Sequence, residues 1–397
     1  MKAVITPSKL KGTVSAVASK SYAHRIIIAS ALADRPTKIY LNTTSEDIEA
    51  TKRCIKALGS KIDEGDGFIT VSPTDCKSRE NILLDCGESG STARFILPVA
   101  AVLCGKFEMQ GSGRLPERPM QPLTEQMSKH GVHFDSEKIP IKAQGKLTGG
   151  EFYLSANISS QYITGLLFAL SKLAIESKIT LTTELESSAY VDITTDVLQK
   201  FSVDIKKGKG FYEIPVSKYI SPEEITVEGD WSNAAFWICA DKISGGITVS
   251  GLNYKSIQSD RRILDETDKN MIDAREIPDL VPVLAALACA KNEKTVIHNA
   301  SRLRIKESDR IKTTMQSLNA LGADICETED GLIINSHGRL SGGECDGYGD
   351  HRIVMACAVA SCICTNEVII NGAEAVNKSY PTFFEDFKKL GGIVKFK

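Results

Sequence analysis

A chain of 397 residues, 42% hydrophobic and 25% charged, is long enough for two cores and has the balance of an ordinary globular protein. Its 48 Lys and Arg against 50 Asp and Glu give a net charge of −2, which excludes a dedicated nucleic-acid binder with a strongly basic surface. The eleven Cys and six His are scattered, with no Cys-x-x-Cys pair. That pattern predicts neither a disulfide framework nor a zinc site, and suits buried Cys in a reducing cytosol.

The N-terminal Met-Lys-Ala-Val-Ile-Thr-Pro-Ser has no apolar core of a signal peptide, and the apolar run 353–363 is too short for a membrane span. A cytoplasmic protein without membrane partners is expected.

In chain order, the first predicted helix opens at Ser19-Lys20-Ser21 and carries Arg25. Ser19 is a natural N-cap, and Lys20 falls in a first turn where the helix dipole disfavours cations by about 0.3–1 kcal/mol. A second amphipathic helix, 47–58, ends at Gly59 and leads into a strand, a polar turn and the strand 68–71. That ending recurs at Gly131, Ser202, Gly322 and Gly391, at intervals of 72 and 71 residues in the first half and 69 in the second. Glycine there supplies the left-handed residue that closes a helix. A period near 70 suits domains built from several α/β units. A sixth copy is expected near 250, where only a shortened remnant stands.

The loop Gly87-Glu88-Ser89-Gly90-Ser91-Thr92 runs into an apolar helix bearing Arg94, so free backbone N–H groups can cradle an anion. It lacks the ending of a Walker A loop. In Gly113-Arg114-Leu115-Pro116-Glu117-Arg118-Pro119 the prolines stiffen a segment with two Arg, suited to carboxylate or phosphate. Ser159-Ser160-Gln161 opens another apolar helix. A boundary is expected near Val227–Asp230, where a strand gives way to a capped, Ala-rich helix. Beyond it, Lys306-Glu307-Ser308-Asp309-Arg310 sets a carboxylate among cations, an arrangement that can position an acid or base. Asp350-His351-Arg352 opens a helix with a cation in its first turn, and Lys378 is a weaker instance. Solvated helix starts explain any one of these. Their recurrence in both halves points to substrates with several negative charges.

Taken in order, Ser19-Lys20-Ser21 with Arg25, Glu88–Thr92 with Arg94, 113–119, Ser159-Ser160-Gln161, Ile277-Pro278-Asp279, 306–310 and Asp350-His351-Arg352 resemble the 5-enolpyruvylshikimate-3-phosphate synthase family of enolpyruvyl transferases, over about residues 5–390. The resemblance implies an α/β fold of two similar domains, each of repeated βαβαββ-type units about a pseudo-threefold axis, an inside-out α/β barrel with its active site in the interdomain cleft. The domains implied are 1–13 plus 228–397, with one unit shortened near 255–275, and 14–227.

It also implies transfer of the enolpyruvyl group of phosphoenolpyruvate to the 5-hydroxyl of shikimate 3-phosphate, on the route to chorismate and the aromatic amino acids, by a monomer without metal or organic cofactor. Carried over residue by residue, Asp279, Glu307 and Lys20 are catalytic. Shikimate 3-phosphate falls to Lys20, Ser21, Arg25, Ser159, Ser160, Gln161, Ser187, Asp279 and Lys306. Phosphoenolpyruvate falls to Lys20, Gly90, Arg114, Gln161, Arg310, Arg352 and Lys378. The chain departs from the family at Glu88, where relatives often carry Asn, and at Arg302, where some carry Asn. The alternative is the sister enzyme acting on UDP-N-acetylglucosamine, whose reactive Cys has no counterpart in 111–119. A non-catalytic phosphate-binding protein is disfavoured by the carboxylates among the cations.

Overall fold

The computed structural model describes residues 1–76 and 81–397. The chain forms two compact units, one of Met1–Val17 with Gly229–Lys397 and one of Ala18–Glu228.

In the unit Ala18–Glu228 the helices are α1 (Lys20–Leu32), α2 (Glu46–Ala57), α3 (Gly90–Leu103), α4 (Gln121–Lys129), α5 (Ser160–Leu170) and α6 (Ser188–Lys200). α1, α3 and α5 are buried on nearly every side, as their all-round apolar sequences require. Three four-stranded mixed sheets surround them. In one, Leu83–Asp85 runs parallel to Lys106–Gln110, which pairs antiparallel with Ile141–Gly145, and that with Val132–Phe134. A second repeats the order with Glu151–Leu154, Ser177–Leu181, Phe211–Ile214 and Lys206–Gly208. The third takes its first strand from the unit's far end: Glu224–Thr226 pairs parallel with Thr37–Tyr40, closing the ring. The strands alternate, with Phe152 and Leu154 inward and Glu151 and Tyr153 outward.

α3 and α5 meet at Gly165, where an added Cβ would lie 2.2 Å from the Arg94 carbonyl oxygen. The 70-residue echo is visible as geometry. Gly59, Gly131 and Ser202 each follow an outer helix at φ between +63° and +104°, and Gly322 and Gly391 repeat this at +95° and +93°.

The other unit holds α7 (Trp231–Ser244), α8 (Ile263–Glu266), α9 (Val281–Ala288), α10 (Arg310–Ala320), α11 (His351–Ala360) and α12 (Phe383–Lys389). α9 and α11 are wholly buried, and α7 largely so. Two of its sheets have four strands; the N-terminal Lys2–Thr6 completes one of them, between Val368–Asn371 and Ile393–Phe396. The last sheet has only two strands, Gly12–Ser15 parallel to Ile247–Ser250. The antiparallel hairpin present in the other five is replaced by short helical turns, Ser259–Arg262 and α8. Pairing of Gly12–Ser15 with Ile247–Ser250, and the backbone bonds of Ala16 N–H to Ser250 O and Asp230 N–H to Val17 O, keep residues 14–17 in this unit.

One cysteine expectation fails. Cys76 and Cys104 form a disulfide with Cα atoms 6.1 Å apart. The chain after Phe68–Val71 turns back over the helix ends, where the Thr74 N–H donates to Ala31 O, and this brings Cys76 to the C-cap of α3. Seven of the nine free Cys are buried, as small apolar side chains are. Among the described residues, no helix is long and apolar enough to cross a membrane.

Candidate active site

α1, α3 and α5 start at Ser19, Ser89 and Ser159, each 70 residues after the last, and each hydroxyl accepts a backbone N–H of its own first turn, from Tyr22, Thr92 and Gln161. None has an acidic residue in that turn. Three helix N-termini are thus left without the carboxylate that would neutralise them, the electrostatic setting for bound anions.

Side chains sharpen that setting. Lys20 Nζ lies 2.8 Å from Asp47 Oδ2 of α2, with both side chains largely buried. Arg25 is 2% exposed and donates to Thr194 Oγ1 (2.8 Å), Ser21 O (2.7 Å) and Tyr190 O (2.8 Å), with its guanidinium 4.9 Å above the Phe95 ring. All these acceptors are neutral, and burial draws the guanidinium pKa down to about 10. A desolvated cation with only neutral partners favours an anionic ligand. Ser187, at φ +54° and buried, precedes α6, the helix that supplies Tyr190 and Thr194.

At the start of α3, Gln161 Oε1 accepts from Arg94 Nη1 (2.7 Å) and its Nε2 donates to Ser91 Oγ (2.8 Å), which fixes the amide. Gly90 lies beneath two guanidinium groups: an added Cβ would be 2.6 Å from Arg118 Nη1 and 2.8 Å from Arg94 Nη1. The two arginines of the 113–119 loop differ in exposure. Arg114 is 44% exposed and paired with Glu117 at 3.3 Å, whereas Arg118 is 7% exposed. The 3-10 turn Leu115–Glu117 buries Leu115 and turns Arg118 inward, leaving Arg114 outside. Sequence reading also missed a buried chain behind these helix starts: His24 Nδ1–Thr51 Oγ1 (2.7 Å), Thr51–Thr92 (2.7 Å) and Thr92–Ser89 (2.8 Å). Burial, then Lys20 and Arg25, hold the His24 pKa well below its usual value, so the imidazole is neutral.

In the other unit the expected residues Asp279, Glu307, Arg310 and Arg352 converge. Arg310, 1% exposed, donates to Asp279 Oδ1 (2.9 Å), Glu307 Oε2 (2.7 Å) and Asp350 Oδ2 (2.8 Å). Arg352 donates to Asp279 Oδ2 (2.8 Å) and Asp279 O (3.2 Å). Burial alone would raise the Asp279 pKa; Arg352, Arg310 and Lys306 outweigh it and hold the carboxyl well below its usual range. Lys306 is lowered to about 8, chiefly by burial and further by Arg302 and Arg310, against Asp279 and Glu307. Lys378 Nζ donates to Gly349 O (2.6 Å), beside the Asp350 cap of α11. Sequence gave no warning that Asp350, fully buried, would be a third carboxylate on Arg310.

Two similar α/β units, each with a cluster of buried cations and one with a carboxylate gripped between two arginines, are the setting of a protein that handles multiply anionic small molecules. A model of the family "EPSP synthase (3-phosphoshikimate 1-carboxyvinyltransferase)" matches residues 4–273 and 266–387. A 3-phosphoshikimate 1-carboxyvinyltransferase of Clostridium kluyveri is 40% identical over 413 residues, 98% of this chain and 97% of the relative. One from Clostridium perfringens is 40% identical over 99% of both chains. An EPSP synthase structure from Acinetobacter baumannii superposes over the whole of both chains with a TM-score of 0.83 at 24% identity, which establishes the fold. The chain belongs to the EPSP synthase family, and its α/β fold is that family's two similar inside-out domains.

Proposed function

We propose that the chain transfers the enolpyruvyl group of phosphoenolpyruvate to the 5-hydroxyl of shikimate 3-phosphate, releasing phosphate, in the pathway to chorismate and the aromatic amino acids. Family membership supports the reaction; the relatives carry its name at 40% identity over nearly the full chain. The observation that carries the site assignment is Asp279, an ionised carboxylate gripped by two buried arginines.

Protonation of phosphoenolpyruvate C3 makes C2 electrophilic, and the 5-hydroxyl adds there as it loses its proton. Loss of phosphate from the tetrahedral adduct, with return of a C3 proton, restores the vinyl group. Asp279 is the acceptor that orients the 5-hydroxyl and takes its proton. Glu307, held by Arg310, and Lys20 are the groups for C3 and the leaving phosphate.

Shikimate 3-phosphate is assigned to Lys20, Ser21, Arg25, Ser159, Ser160, Gln161, Ser187, Asp279 and Lys306. Phosphoenolpyruvate is assigned to Lys20, Gly90, Arg114, Gln161, Arg310, Arg352 and Lys378, and Arg118, which covers Gly90, is added to them. We take the enzyme to be a cytoplasmic monomer that needs no metal or organic cofactor, so chelation leaves turnover intact. Phosphate release with both substrates, and with each omitted, tests the reading: release only with both is expected, and no release with both overturns it.

A further inference from the structure

The two arginines that share Asp279 are each held from a second side. Arg310 is held by Asp350 through Nε (2.8 Å) and Nη2 (3.3 Å). Asp350 is itself fixed by Ser308 Oγ (3.0 Å) and by the Arg352 N–H (3.0 Å). Arg352 reaches a hydroxyl: its Nη2 donates to Ser232 Oγ at 3.1 Å. Ser232 in turn donates to Asp230 Oδ1 at 2.7 Å. Asp230 is the N-cap of α7 and accepts the Asn233 N–H at 2.8 Å on the same oxygen. Ser232 is 8% and Asp230 3% exposed.

We infer that Ser232, backed by Asp230, is a positioning residue for Arg352. A serine hydroxyl has one proton and two lone pairs, and a free rotor can present either. An ionised carboxylate only accepts, so Asp230 takes the proton and leaves the lone pairs towards the guanidinium. Charge on Asp230 also polarises the O–H and strengthens the oxygen as an acceptor, in a buried setting where such chains reinforce one another. The site needs this because Asp279 is a shared and reactive partner. When an anionic ligand takes the face of Arg352 now given to Asp279, the bond to Ser232 keeps the guanidinium in place. Ser232 acts through Arg352 and does not itself meet the ligand. The inference rests on the assignment of Arg352 to phosphoenolpyruvate.

The test is steady-state kinetics of the full chain, with each substrate varied against a saturating level of the other. Ser232→Ala raises the KM for phosphoenolpyruvate roughly tenfold, the weight of one hydrogen bond to a charged group, and leaves the KM for shikimate 3-phosphate within about twofold. Asp230→Asn keeps a good N-cap but offers Ser232 an amide donor, and raises the same KM in the same direction. In an Arg352→Ala background, Ser232→Ala adds no further loss in kcat/KM, because the group it acts through is gone. Equal rises in both KM values for Ser232→Ala, or full additivity with Arg352→Ala, overturn the inference. Arg352→Ala with an unchanged KM for phosphoenolpyruvate overturns the assignment beneath it instead, so the two failures are told apart.

Discussion

Arg118 lies across Gly90, so close that a methyl group added to the glycine would stand 2.6 Å from its Nη1. An anion resting on the N-terminus of α3 at Gly90 would meet this guanidinium, while Arg114, 44% exposed on the same loop, is open to solvent. Arg118→Ala is expected to lower kcat/KM for phosphoenolpyruvate by about 100-fold or more, the cost of a buried charge-assisted contact. Arg114→Ala is expected to raise the KM for phosphoenolpyruvate and lower turnover, because its exposed guanidinium, paired with Glu117 at 3.3 Å, is open to an anionic ligand. Parallel kinetics of the two variants check this, and wild-type values for either one remove that arginine from the site.

Asp279→Asn keeps hydrogen-bonding capacity but cannot take a proton. Turnover is expected to fall by about 10²–10⁴, with the enzyme still folded by circular dichroism. Stability carries a separate signature. The Asp279 pKa is depressed in the folded chain, so its contribution is fully present above the unfolded carboxylate value of about 3.9 and is lost as pH falls towards the folded value. Urea midpoints of the wild type should therefore fall more steeply than those of Asp279→Asn below about pH 4. Equal slopes would show that the two arginines do not grip this carboxylate in solution.

Lys306 gives a pH limb near neutrality. Its folded pKa is lowered to about 8, so it is charged below that pH and loses its charge as pH rises through it. The KM for shikimate 3-phosphate is expected to be flat below 8 and to climb up to tenfold per unit above it. Lys306→Arg, which stays protonated, should flatten that limb. Initial rates between pH 6.5 and 9.5 measure both.

Much of this site was legible as one-dimensional pattern. Ser19, Ser89 and Ser159 are local signals, because an N-cap hydroxyl and an open first turn are fixed within four residues. The helix-ending glycines are local too, since a left-handed residue leaves its mark on its own position. What stayed hidden depends on rotation and burial. Arg114 and Arg118 flank one turn, and only the burial of Leu115 decides which faces inward. Asp350 reads as a helix cap until α10 brings Arg310 against it, and Ser232 is one more residue in the first turn of α7 until Arg352 reaches it. The disulfide was equally invisible, because Cys76 and Cys104 meet only when the chain folds back over the helix ends.

Gly165 joins fold to site. A Cβ on it would run into the Arg94 carbonyl oxygen, and Arg94 fixes the Gln161 amide at 2.7 Å. Gly165→Ala puts a methyl 2.2 Å from that oxygen and 3.0 Å from Pro98 Cγ, so α3 and α5 must move apart. Overpacking of this kind costs about 1–3 kcal/mol, which in a unit of this size lowers Tm by several degrees. The shift should also reach catalysis, since moving α3 against α5 lengthens the Arg94–Gln161 bond and loosens the anion site at Gly90. A lower Tm together with a raised KM for phosphoenolpyruvate is expected from a thermal melt and initial rates on the same preparation. A lower Tm with unchanged kinetics would mean that the two helices separate without carrying Arg94 along, and that the anion site is held by the Arg118 loop alone.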